Sequence, residues 1–83
     1  TTADGASSTS DRVTIDSGGR VGVGTTSIDT SALLELDSTT GALLLSRMTN
    51  TQRDALTGVN GMVIYSSTDN AVEAYENGVW VNI

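Results

Sequence analysis

The sequence predicts a mainly β fold with one short helix, arranged as β-hairpins and a C-terminal meander. Three observations carry that class. Apolar residues recur at period two in short runs, as in Val13/Ile15, Val21/Val23 and Leu34/Leu36. Turn-forming residues, Ser17-Gly18-Gly19 and Asn77-Gly78, separate such runs. One capping box, Thr49-Asn50-Thr51-Gln52, marks a single helix start.

Thr1 to Ser10 is small, polar and aperiodic, and reads as a linker over residues 1–10. Residues 11–30 form the next segment, an N-terminal hairpin and loop. Arg12 to Asp16 alternates, with Val13 and Ile15 on one face, and after the glycine turn Arg20 to Gly24 resumes with Val21 and Val23. Gly22 and Gly24 fall on the opposite face, where bare glycine signals close approach of another backbone, including that of a neighbouring chain. Thr25 to Ser31 is loop-like.

Residues 31–60 read as strand plus capped helix. Leu34 and Leu36 alternate with Glu35 and Asp37, which favours a strand over Ala32 to Asp37. Ser38 to Gly41 is a turn. Ala42 to Leu45 is an apolar run of the kind that forms a buried strand. The Thr49 hydroxyl and the Gln52 side chain then cap a helix over about Asn50 to Leu56, with Gly58 expected as its left-handed C-terminal residue. Residues 61–83 read as the meander: Met62 to Ser66, a polar turn at Ser67 to Asn70, Ala71 to Glu76, a type I′ turn at Asn77-Gly78, and Val79 to Ile83.

Composition limits what such a chain can do alone. With 83 residues it is one small domain at most. A chain of this size buries only about 60% of its unfolded surface. There is no Cys and no His, so disulfides and the common zinc or copper sites are gone. Aromatic content is 4% and Phe is absent. By elimination, the missing core comes from other copies of the chain. Net charge is −6, there is no Lys, and the cations are Arg12, Arg20, Arg47 and Arg53. Nucleic acid and anionic membranes are therefore poor partners. No apolar run approaches the roughly 20 residues of a membrane span. The chain opens Thr1-Thr2 without Met, as expected of a fragment or a processed product.

The order Gly41, an apolar run, Arg47-Met48-Thr49, Gln52-Arg53-Asp54-Ala55, then Gly61-Met62-Val63-Ile64-Tyr65 and Tyr75, Asn77-Gly78 and Trp80, resembles a module of bacteriophage tail fibres and other virion appendages. Upstream, RVTIDSGGRVGVGTT (Arg12 to Thr26) resembles the segment that often precedes that module. One departure stands out. The module usually carries Pro before the Arg, and this chain has Leu45-Ser46 there and no Pro at all. The resemblance implies an intertwined homotrimeric, fibre-like assembly in the virion, outside the cell. Its partners would be other virion proteins and, at a fibre tip, a host surface receptor. It implies a structural, non-enzymatic role.

The expected interchain or core residues are Val13, Ile15, Val21, Val23, Leu34, Leu36, Leu43, Leu45, Met62, Ile64 and Trp80. Arg47, Thr49, Gln52, Arg53 and Asp54 are expected to form a structural cap with ion pairs. An anion at the helix start is the competing reading, and it fits an acidic chain poorly. Tyr65 and Tyr75, with Trp80, offer a surface for a sugar or a protein, against a packing role that suits the only large rings in the chain.

Catalysis finds little to stand on. Glu73 with Glu76, or Asp16 with Asp29, are the conceivable glycosidase pairs, and Glu73 reads instead as a solvated strand residue. Nucleophilic chemistry lacks a His, Lys or Cys base. Asp4, Asp69 and Asn70 do not follow a calcium-loop pattern, and Asp69-Asn70 reads as a turn. Gly18, Gly19, Gly22 and Gly24 miss the spacing of a phosphate loop. No cofactor is expected.

Overall fold

A computed structural model describes residues 12–83; the linker expected at residues 1–10 lies outside them. Among the described residues the fold is mainly β, with seven strands and one short helix. The chain divides into two compact units, with the boundary after Leu43.

The first unit is a three-stranded sheet of β1 (Val13–Ile15), β2 (Val21–Val23) and β3 (Leu34–Leu36), in the order β1-β2-β3. Asp16 builds the β1–β2 hairpin. Its Oδ1 accepts from the Gly18 and Arg20 amides at 2.9 and 3.0 Å, and its Oδ2 accepts from Arg20 Nε at 2.9 Å. The Arg20 backbone bond, with its side chain, holds the Asp16 carboxyl below the usual carboxylate range.

β2 and β3 run parallel, so the chain between them crosses over one face of the sheet. Thr14, Gly22 and Glu35 lie level on that face. A Cβ at Gly22 would sit 2.7 Å from Ile28 Cγ1 and 2.8 Å from the Thr25 carbonyl oxygen. The close approach expected at Gly22 is thus made by this chain's own crossover. At Gly24 it is made by the Asp37 carbonyl. Glu35 Oε1 pins the crossover by accepting from the Asp29 amide at 2.7 Å.

The second unit is a four-stranded sheet, β4 (Arg47–Met48), β5 (Val63–Ser66), β6 (Ala71–Glu76) and β7 (Val79–Asn82), in the order β4-β5-β6-β7. β4 and β5 are parallel, and α1 (Asn50–Asp54) lies in the crossover between them. β5, β6 and β7 form the antiparallel meander. Asn77 and Gly78 both take positive φ, 51° and 81°, as the type I′ turn requires.

Two expectations are corrected here. Ala42 to Leu45 forms no strand; the ladder starts at Arg47, and Leu43 and Leu44 are exposed. A parallel ladder needs a partner in step, and β5 supplies one only for Arg47 and Met48. Second, α1 stops at Asp54, on a right-handed C-cap at Ala55, so Gly58 is not its left-handed terminus. Gly58 answers a different need. A Cβ there would lie 2.8 Å from Tyr75 Cδ1 and closer still to the next ring atom.

Candidate functional site

Cross-strand partners share a sheet face, and residues two apart along a strand share it too. In the first unit, Val13 aligns with Val23, Ile15 with Val21, Val21 with Leu34, and Val23 with Leu36. These side chains therefore form one face, opposite the crossover. It is wholly apolar and largely open: Ile15, Val23, Leu34 and Leu36 are exposed, Ile15 at 59% and Leu34 at 56%.

The second unit repeats the plan. Val63 aligns with Ala74 and Ala74 with Val81; Tyr65 aligns with Val72, and Glu76 with Val79. Val63, Tyr65, Val72, Ala74, Val79 and Val81 share one face, and Arg47 and Glu76 carry charge at its margins. Val63 and Val79 are exposed on it.

The opposite face of this sheet bears Met48, Ile64, Ser66, Glu73, Tyr75 and Trp80, and the crossover through α1 packs there. Thr49 accepts from the Gln52 amide at 3.2 Å, and Gln52 Oε1 accepts from the Thr49 amide at 2.9 Å. That box sets the helix so that Arg53 turns toward the sheet. Arg53 NH1 lies 2.8 Å from Glu73 Oε1, and its Nε and NH2 reach Asp54 Oδ1 at 2.9 and 2.8 Å. The guanidinium carbon stands 5.9 Å from the Trp80 ring centroid, and Tyr75 meets Trp80 edge-on at 5.2 Å. Glu73 and Ser66 are fully buried here and Ile64 is buried beside them, while Ala74 is buried on the other face.

Ser66 Oγ donates to Asn50 Oδ1 at 2.7 Å and accepts from the Asp69 amide at 3.0 Å; Asn50 Nδ2 donates to Asp69 Oδ2 at 3.1 Å. The carboxyl of Asp69 is held below its usual range, first by hydrogen bonding with Glu73, then by Asn50 and by the charge of Arg53. Arg53 is held above its own, chiefly by Glu73 and then Asp54. The solvated role expected for Glu73 is therefore overturned. It is the acceptor that lets Arg53 lie under the sheet, and a buried charge needs such a partner.

The residues singled out in the sequence separate into distinct places. Val13, Ile15, Val21, Val23, Leu34 and Leu36 lie together on the open face of the first sheet. Ile64 and Trp80 lie on the covered face of the second, Leu45 is half-buried, and Met62 is at the edge of exposure. Arg47 makes no ion pair among the described residues and stands apart from Arg53 and Asp54. Tyr65 and Tyr75 lie on opposite faces, so they share no platform. Sequence reasoning missed the open face of the second sheet. The signal was available: a two-residue turn at Asn77-Gly78 pairs Glu76 with Val79, and that fixes which valines share a face.

Among the described residues, no group of acidic side chains is placed to hold a metal ion, and no helix is long and apolar enough to cross a membrane. The described residues define a class: a small β module in which each sheet has one face covered by the chain's own crossover and one apolar face that the crossover leaves free. The chain belongs to the phage tail-like trimerisation region family, which it matches over residues 22–83. It is thus a structural, trimerising region of phage-tail type, in line with the resemblance to tail fibre modules. No curated protein and no solved structure matches it.

Proposed function

We propose that three identical copies assemble through these open faces into a non-enzymatic segment of a phage virion appendage, a tail or head fibre. The observation that carries the reading is the asymmetry of both sheets. In each, the chain's own crossover covers one face, and the other face is mainly apolar and continuous in register, with Ile15, Val23, Leu34 and Leu36 exposed on the first sheet and Val63 and Val79 on the second. Burying a Val or Leu fully contributes about 1.5–3 kcal/mol. Three copies sharing such faces gain many of these contributions, against an association cost of about 4–15 kcal/mol. The acidic exterior, at −6 per chain, keeps assembled particles apart.

In this reading the segment supports host attachment mechanically. It holds three chains in register, alongside other virion proteins, for whatever part of the appendage meets the receptor. The separation of Tyr65 from Tyr75 argues against a stacking platform for glycans on this segment. The test is the solution mass of the full chain at low micromolar concentration. Light scattering should give three chains, falling to one in Leu34→Asp combined with Val81→Asp. A wild-type chain that is a cooperatively folded monomer would sink the proposal.

A further inference from the structure

Ala42 to Leu45 has the composition of a buried strand and is used as nothing of the kind within the chain. Leu43 is 60% exposed and Leu44 71%. Among the described residues, no hydrogen bond engages the backbone of Ala42, Leu43, Leu44 or Leu45. Immediately after it, the backbone is drawn into a ladder: the Ser46 carbonyl accepts from the Tyr65 amide at 2.9 Å, and β4 begins. Among the described residues, the run therefore leads directly off an edge strand with its backbone donors and acceptors unpaired and two of its three leucines, Leu43 and Leu44, exposed.

We infer that Ala42 to Leu45 is an interchain strand, which docks on a second copy of this chain and pairs its backbone there. The inference rests on the trimeric reading above. Three features single out another copy as the occupant. The run lies inside the region matched by a trimerisation family. Ser38 to Ser46 carries no charge, so it is a stretch where chains of net charge −6 can meet without opposing carboxylates. And Leu side chains beside unpaired backbone suit strand addition, in which main-chain bonds give the affinity and alternate side chains fill the neighbour's apolar surface.

The experiment is hydrogen exchange on the full chain at a concentration where light scattering has fixed its mass, together with Leu44→Pro and Leu44→Val. In the trimer, amides 43–45 should exchange about a hundred-fold more slowly than those of the Thr25–Ser27 loop. Leu44→Pro, which removes a donor, should lower the melting temperature of the trimer or dissociate it, and Leu44→Val should do neither. An intact trimer whose amides 43–45 exchange as fast as that loop, or whose Leu44→Pro form melts like wild type, overturns the interchain strand and leaves the trimer standing. A folded monomer overturns both.

Discussion

Arg53 reaches from a one-turn helix to the fully buried carboxylate of Glu73, at 2.8 Å, and this pair joins the crossover of the second unit to its sheet. Glu73 sits at the centre of β6, aligned with Ile64 on one side and Asn82 on the other. Arg53 lies 5.9 Å from the Trp80 ring centroid and, besides Glu73, pairs with the exposed Asp54 at 2.8 Å and with Asp69 at 3.9 Å. Removing one charge leaves the other buried without its partner.

Glu73→Gln is therefore expected to be among the most destabilising single changes in the second unit. Asp54→Asn should change stability by no more than about 0.5 kcal/mol, because Asp54 is a largely exposed member of its pair. Chemical denaturation of both variants at one protein concentration checks the ranking. Equal effects would mean that the burial of Glu73 does not matter.

The Gly58–Tyr75 contact makes a second prediction. Gly58→Ala forces a methyl group into the Tyr75 ring and should cost about 1–3 kcal/mol, as overpacking does. In a Tyr75→Ala background the same change should cost little. Additive effects of the two substitutions would show that the ring is not what Gly58 accommodates.

The capping box is reciprocal, so its two halves should not be independent. Thr49→Ala is expected to cost about 1 kcal/mol. Gln52→Ala should cost less, and the double variant less than both together, since each loses a bond to the other's backbone. A double-mutant cycle read by denaturant melts decides the matter.

Acid stability follows from Asp16 and Asp69. Both carboxyls are lowered in the folded chain relative to 3.8. The unfolded chain therefore binds protons first as pH falls, and each group stabilises the fold above that value. The melting temperature should be flat with respect to these two groups above about pH 5, and fall as the pH passes below 3.8 toward their native titration. The variant Asp16→Asn, Asp69→Asn should start lower at pH 7 and lose part of that slope. An unchanged slope would place the acid sensitivity elsewhere.

Much of this was legible in the sequence because it is local. Asn77-Gly78 dictates a two-residue turn through its backbone preference, and Thr49 with Gln52 caps the helix through bonds that span one turn. Asp16 and Gly19 shape the first hairpin within a few residues. Poverty of core and absence of Cys already pointed to help from other copies of the chain.

What the tertiary structure decided is which face of each sheet is covered and by what. Alternation names two faces but not which of them a crossover will take. That depended on Gly22 leaving room for Ile28, and on Glu73 meeting Arg53 from twenty residues away. It also decided that Ala42 to Leu45 stays outside the ladder. An apolar run becomes a strand only where a partner is in register, and within one chain β5 offers that to Arg47 and Met48 alone.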